Sequence, residues 1–155
     1  MPTVTLTIEY EQTQLAELSA AHAQLCATAR AATATAYAPY SNFRVGAAAL
    51  LADGSHVAAA NLENSAYPQC LCAEACLLGA VHALPGRHAI AAVAVAVDAP
   101  SLRGAVTAPC GSCRQQLFEA EWRQGGPIAV LLVGEGGEVL RFARVSDLLP
   151  LGMTL

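Results

Sequence analysis

Residues 89–97 read AIAAVAVAV, and this run constrains the fold more than any other part of the chain. Pro85-Gly86 precedes it and Pro100 follows it, so the run has the length of a strand even though alanine also suits a helix. A strand that is apolar on both faces must be covered on both sides, which predicts a buried central strand. The run is far shorter than the roughly 20 residues that span a bilayer, so we expect no membrane partner.

The segments around this strand predict an α/β domain. A helix is expected over 11–36, a β-hairpin around Asp53-Gly54, and helices over 72–84 and 109–124. Two further strands are expected in PIAVLLV and GEVLRFA. This order predicts a single domain over 1–155, a three-layer α/β/α sandwich with a mixed five-stranded sheet.

Composition narrows the class of partner. The chain has a net charge of −4, no lysine and eight scattered arginines, so no basic stripe is available for nucleic acid. The N-terminus lacks a basic start followed by an apolar run, so we expect no signal peptide and a cytoplasmic location. Thiols stay reduced there, which favours metal binding or catalysis for the six cysteines.

Three of the cysteines have the spacing of metal ligands. Cys110 and Cys113 form a C-x-x-C pair at a predicted helix start, and Cys72 lies at another. The partial positive charge of a helix N-terminus favours the thiolate that binds metal. Three protein ligands on zinc leave the fourth position for water, which is the pattern of a catalytic site. Glu74 lies two residues after Cys72 and is suited to move protons in the same pocket.

Two other interpretations of these cysteines stay open at this point. Cys110 and Cys113 could be a redox dithiol, although Cys72 would then have no role. Cys70 or Cys76 could be the fourth ligand of a closed structural zinc site, although Glu74 would then have no role. Cys26 is expected to be a core residue, and His22, His56, His82 and His88 are expected on the surface or in the core.

Five motifs together resemble the small homotetrameric zinc-dependent cytidine deaminases. They are AYAPYSNFRVGAAAL, NLENSAYP, CLCAEA, PCGSCRQ and LLPLGM, in that family's order, over about residues 36 to 153. The resemblance implies an α/β/α sandwich and a zinc cofactor. It implies hydrolytic deamination of cytidine and 2′-deoxycytidine to uridine and deoxyuridine, with release of ammonia. The implied partners are a pyrimidine nucleoside and other copies of the chain, in a homotetramer with shared active sites.

The resemblance also implies a role for each matching residue. Cys72, Cys110 and Cys113 match the zinc ligands, and Glu74 matches the general acid and base of such sites. The substrate-binding positions are matched by a further five residues: Asn61 and Glu63 at the ribose hydroxyls, Phe43 beside the base, Ala73 at the pyrimidine edge, and Tyr67 reaching a neighbouring subunit's site.

Departures from the family pattern leave the substrate range and the charge balance open. Ala75 follows Glu74 where the family usually has an arginine that neutralises the thiolates, and we hypothesise that Arg103 or Arg114 takes over this role. Ser65, Cys70 and Met153 also differ from the usual residues around the base. A modified cytidine or a blasticidin-S-like nucleoside is therefore an alternative substrate, and a non-catalytic zinc-binding module is an alternative function.

Overall fold

The computed structural model describes residues 1–102 and 105–154 and contains a mixed sheet with helices on both faces. This part of the chain contains six strands and three α-helices. The strands are β1 (Glu11–Gln14), β2 (Arg44–Leu51), β3 (His56–Ala60), β4 (Ile90–Asp98), β5 (Ala129–Val133) and β6 (Glu138–Phe142). The helices are α1 (Ala20–Ala32), α2 (Ala73–Ala83) and α3 (Gly111–Gln124). None of these helices is both long and apolar enough to cross a membrane.

The strand order across the sheet is β1-β6-β5-β4-β2-β3, with β4 and β5 parallel and every other pair antiparallel. The apolar run at residues 89–97 forms most of β4, which lies inside the sheet between β5 and β2. The predicted β/α architecture is confirmed, and so is the hairpin, whose turn contains Gly54 at a φ of 85°.

The two faces of the sheet carry different side chains. Val93 and Val95 of β4 pack with α2 and α3, through residues such as Leu77 and Leu117. Ala94 and its neighbours on the other face pack against α1 through Leu25 and Cys26. Because this second face is built largely of alanine, α1 comes close to the sheet. A β-carbon on Gly46 would overlap the carbonyl oxygen of Ala29.

The prediction of a five-stranded sheet and a helix over 11–36 was wrong at the N-terminal end. Glu11–Gln14 forms the edge strand β1, which pairs with β6 through a register that includes an ion pair between Glu11 and Arg141. Helix α1 starts only at Ala20, where the Ser19 hydroxyl accepts a hydrogen bond from the His22 amide. The polar strand therefore depends on pairing with a distant segment, which local composition does not encode.

The order of the elements along the chain makes α2 and α3 run in the same direction. Helix α2 leads into the start of β4, whereas α3 follows the end of β4 and leads to the parallel strand β5. The Gln124 side chain at the end of α3 hydrogen-bonds to both the amide and the carbonyl of Ile90, at the start of β4. The N-termini of both helices therefore lie at the carboxyl end of β4, where ligands bind in open α/β sheets.

Candidate active site and metal centre

The N-termini of α2 and α3 bring three thiols together. Cys72 is the residue that caps α2, Cys110 caps α3, and Cys113 lies in the first turn of α3. The Cys72 and Cys110 sulfurs are 3.9 Å apart, and all three sulfurs lie within 4.8 Å of one another. A tetrahedral zinc with Zn–S bonds of about 2.3 Å needs sulfurs about 3.8 Å apart. The spacing therefore fits a single zinc ion.

The charges around the thiols also suit a divalent cation. Burial is the main cause of the raised pKa of Cys72 and of Cys113, and the carboxylate of Glu74 adds to both shifts. Burial also acts to raise the pKa of Cys110. Hydrogen bonds from the Cys113 amide and from the other two thiols outweigh burial and hold the pKa of Cys110 below its ordinary value. A bound cation supplies the positive charge that allows all three sulfurs to be thiolates.

Glu74 is the buried carboxyl group of this site. It lies in the first turn of α2 and is only 4% exposed, the one charged side chain among the buried residues that the structure describes. Its charge raises the pKa of Cys72, Cys113 and Cys76, after the larger effect of burial on each, so it faces the thiols. The Cys72 sulfur, two residues earlier, remains close to the Cys110 sulfur.

The other three cysteines lie outside the thiol cluster. Cys70 accepts a hydrogen bond from the Asn64 amide and donates one to the Asn64 carbonyl, which closes the exposed loop 64–70. Cys76 is half-buried further along α2, and Cys26 is buried under the opposite face of the sheet. Within the described residues, the group of sulfurs that could hold a metal contains Cys72, Cys110 and Cys113 alone. This arrangement disfavours the closed four-cysteine site.

The two polar residues expected at the ribose are held by hydrogen bonds with the loop before β2 and with the start of β2. The Asn61 side chain accepts from the Val45 amide at 2.8 Å and donates to the Phe43 carbonyl at 2.9 Å. The Glu63 carboxylate accepts hydrogen bonds from the Tyr40 amide and from the amide and hydroxyl of Ser41. Both side chains keep unused hydrogen-bonding capacity, because an amide offers two donors and a carboxylate about four acceptor positions.

The remaining expected substrate residues lie around the same loops. Phe43 is half-buried immediately before β2, and Ala73 is fully buried as the first residue of α2. Tyr67 is 71% exposed, and its ring meets that of Tyr40 edge to face at 6.1 Å. Leu62, next to Asn61 and Glu63, pairs with Leu71, which precedes Cys72. This pairing brings the segment with the expected ribose-binding residues beside the thiol cluster.

Arg114 contacts the backbone around the site. Its Nε donates to the Pro109 carbonyl at 2.8 Å, and one terminal nitrogen donates to the Leu148 carbonyl at 3.1 Å. It thus fixes the residue before Cys110 and ties it to the C-terminal tail. Arg103, the other candidate for charge compensation, lies outside the described residues.

Sequence reasoning missed two residues that organise the site. The Ser41 hydroxyl bonds to Glu63 and also accepts from the Phe43 amide, so it connects two expected substrate residues. The Gln115 side chain forms two hydrogen bonds with the backbone of Met153, which holds the tail on α3. The turn-forming pair Ser41-Asn42 was a usable signal for the first, but no local signal links Gln115 to a residue in the tail.

The chain is similar to known proteins in sequence. Residues 19–125 match a family model described as the cytidine and deoxycytidylate deaminase zinc-binding region. A cytidine deaminase of Mycobacterium tuberculosis is 42% identical over 119 residues, which are 77% of this chain and 79% of the relative. A cytidine deaminase of Sporosarcina psychrophila is 38% identical over 82% of this chain and 87% of the relative.

Solved structures agree with these relatives. The crystal structure of cytidine deaminase from Burkholderia pseudomallei superposes with a TM-score of 0.74 at 39% identity, covering 85% of this chain and 98% of that one. The Mycobacterium tuberculosis enzyme gives a TM-score of 0.67 at 38% identity, covering 85% of this chain and 96% of that one. The predicted α/β/α class is thus shared with solved structures of known activity.

Proposed function

Because this chain belongs to the cytidine and deoxycytidylate deaminase zinc-binding family, we propose that it hydrolyses cytidine and 2′-deoxycytidine to uridine and deoxyuridine, with release of ammonia. The observation that carries the proposal is the cluster of Cys72, Cys110 and Cys113 sulfurs beside the buried carboxylate of Glu74. Such a site can hold zinc and place a carboxylate that moves protons directly beside it.

Cys72, Cys110 and Cys113 would hold the zinc. When bound, this ion makes a water acidic enough to lose a proton near neutral pH and so makes a nucleophile available. The three sulfurs come from two helix N-termini, and their unpaired amide groups offset part of the negative charge of the thiolates.

Glu74 would carry the protons of the reaction. It takes a proton from the attacking water, delivers one to N3 of the pyrimidine as the water oxygen adds to C4, and passes one to the amino group. The C4–N bond then breaks and ammonia leaves, so that the base keeps the oxygen as a carbonyl. Burial of Glu74 excludes bulk water from these transfers.

The loop before β2 would position the nucleoside. Asn61 and Glu63 are held by Phe43, Val45, Tyr40 and Ser41, so their remaining polar positions are fixed before a ribose arrives. Phe43 would pack beside the base, and the Ala73 backbone would meet the pyrimidine edge. These assignments rest on the family pattern together with this hydrogen-bonded arrangement.

Three substitutions test the metal and proton assignments separately, one of them as a control. Glu74→Gln should lower kcat for cytidine about 10²- to 10⁴-fold and leave zinc content unchanged, since it removes the general acid and base only. Cys110→Ser should lose zinc, whereas Cys70→Ser, a change of the same size in an exposed cysteine outside the cluster, should retain it. Zinc would be measured by atomic emission and ammonia by a coupled assay.

Three results would contradict these assignments. Full activity in Glu74→Gln would exclude its role as proton carrier, and zinc loss in Cys70→Ser alone would point to a different ligand set. Zinc-loaded protein that is silent on cytidine and deoxycytidine but active on blasticidin S or a 5-substituted cytidine would move the assignment to that substrate.

We also propose that the chain forms a homotetramer with shared active sites. Five large side chains near the thiols are at least 47% exposed: Tyr37, Tyr40, Leu62, Tyr67 and Leu71. A surface of this kind beside a site suits contact with another copy of the chain. Light scattering of the wild type and of Leu62→Ser tests this, since the substitution should weaken assembly and raise KM together. A fully active monomer would exclude the proposal.

We propose a cytoplasmic location for the enzyme, because its cysteines are suited to a reducing compartment. All six are free thiols, three of them in the cluster, and a reducing compartment keeps such thiols available for metal.

A further inference from the structure

A second cavity lies at the opposite end of α2 and α3 from the thiols. It has a volume of about 550 Å³ and is bounded by the last turns of both helices and by residues 86–90, which lead into β4. Helix α2 has 11 residues, and at 1.5 Å per residue the cavity is roughly 15 Å from the thiol cluster. It is therefore separate from the candidate active site.

Four cationic or titratable side chains converge on this cavity: His82, Arg87, His88 and Arg123. They are two of the four histidines and two of the eight basic residues in a chain whose net charge is −4. The ion pairs found in the described part of the chain, Arg141–Glu11 and Arg144–Asp147, involve neither of these arginines. The two guanidinium groups are thus available to a ligand.

The helix dipoles favour a positive charge at only two of these four side chains. His82 and Arg123 lie in the last turns of α2 and α3, where a positive charge is favourable. Arg87 and His88 belong to no helix. Their segment is folded by Gly86, at a φ of 92°, and by a 2.8 Å hydrogen bond between the His88 ring and the Pro85 carbonyl. A loop with a defined conformation therefore adds two further basic groups to the same cavity.

The Asp53 carboxylate lies near His88. Hydrogen bonds from Ser55 are the main cause of the lowered pKa of Asp53, and the charge of His88 contributes a smaller part. Asp53 thus partly balances His88 from the turn between β2 and β3. Arg87 and Arg123 remain the groups on which an anion would be bound.

The rest of the wall is largely apolar. Leu78, Val81, Ile90 and Ala120 line it, and three of these are buried residues of the core. The Gln124 amide is engaged by the backbone of Ile90 and Gly126, which fixes the base of the cavity. The volume falls in the range of small-molecule sites and exceeds what a bare phosphate fills. The negative net charge disfavours an extended polyanion such as nucleic acid.

We propose that this cavity is a second binding site, for a small molecule that carries a phosphate group beside an apolar or aromatic body. Arg87 and Arg123 bind the phosphate, because guanidinium groups match its oxygens in pairs. The apolar body packs on Val81, Ile90 and Ala120. This site is distinct from the nucleoside site and does not depend on zinc.

Titration calorimetry of the zinc-loaded protein with three simple probes tests the proposal. Phenyl phosphate carries both parts, inorganic phosphate only the anion, and phenol only the ring. Excess uridine is included so that the candidate active site is not available to the probes. We expect phenyl phosphate to bind more tightly than either of the other two. Arg87→Gln and Arg123→Gln should each weaken its binding about tenfold, since each removes a charge-assisted contact.

Arg144→Gln is the matched control, because it removes the same charge from an exposed arginine outside the cavity. Binding that is equal in all variants, or equally weakened in Arg144→Gln, would overturn the proposal, as would no detectable heat at millimolar phenyl phosphate. A short DNA duplex that binds more tightly than phenyl phosphate through the same two arginines would also overturn it, in favour of a polyanionic partner. Circular dichroism verifies that each variant is folded.

Discussion

The Glu63 carboxylate accepts hydrogen bonds from two consecutive residues of one loop, which makes that loop sensitive to acid. The Ser41 hydroxyl is the main cause of the lowered pKa of Glu63, with the Tyr40 amide next. A carboxyl group whose pKa is lowered on folding stabilises the fold above its unfolded pKa. The stabilisation by Glu63 is therefore fully present above pH 4.5, the ordinary pKa of a glutamate. It is lost as the pH falls through the lowered pKa of Glu63 in the folded protein.

We therefore expect the loop of residues 40–43 to loosen below pH 4.5 in step with protonation of Glu63. Carbon-13 NMR of the Glu63 carboxyl group and the amide signals of Tyr40 and Ser41 would report both events. Ser41→Ala should move the pKa of Glu63 back towards 4.5, whereas Ser101→Ala, in an exposed turn, should leave it unchanged. An unchanged Glu63 pKa in Ser41→Ala would contradict this account.

The site residues that sequence alone could predict are those with a local signal. Cys72, Cys110 and Cys113 stand at predicted helix starts, and Glu74 is two residues from one of them, so spacing and helix geometry were sufficient to group them. Glu63 and Asn61 were identified by family pattern, but their partners Ser41 and Val45 were not. Those contacts depend on how residues 41–45, at the entry to β2, fold against another segment, which no short motif encodes.

At the scale of elements, the close contact between α1 and β2 requires glycine at position 46, because there is no space for a side chain there. Gly46 →Ala would bring the new β-carbon onto the Ala29 carbonyl and within 2.7 Å of the Thr33 amide nitrogen. Both are backbone atoms of one packed helix end, so the helix must shift. We expect a loss of about 3 kcal/mol in the free energy of unfolding, measured by chemical denaturation.

Gly79→Ala is the control for this substitution, because Gly79 is exposed within α2 and an added β-carbon meets nothing within 4 Å. It should stabilise the protein by about 0.5 to 1 kcal/mol, since alanine favours a helix interior. Equal effects of the two substitutions would show that the α1–β2 contact is not the source of the loss.

The elements themselves differ in how far sequence determines them. Strand β4 was predictable because both of its faces are apolar and prolines bound it. Strand β1 was not, because EQTQ has no strand pattern and is extended only through its pairing with β6. In the same way, Arg87 and Arg123 are 36 positions apart, and only the packing of α3 beside the start of β4 brings them to one cavity.

At the scale of the whole molecule, zinc would link α2 and α3 on one face of the sheet and would make no contact with α1 on the other face. Removing zinc with a chelator should lower the melting temperature and speed amide hydrogen exchange in the first turns of α2 and α3. Exchange in α1, which packs on the opposite face, should change least. Mass spectrometry of peptides resolves these regions, and equal acceleration in all three helices would contradict a local effect.

The position of Cys70 has a practical consequence for following the molecule in solution. Cys26 is buried and its pKa is raised by burial to about 11, and Cys76 is half-buried with a raised pKa for the same reason. With zinc holding the three clustered sulfurs, Cys70 is the exposed thiol left for an alkylating dye. One fluorophore could thus be attached without engineering, on the loop that carries Tyr67, and its emission would test whether added nucleoside changes the surroundings of this loop.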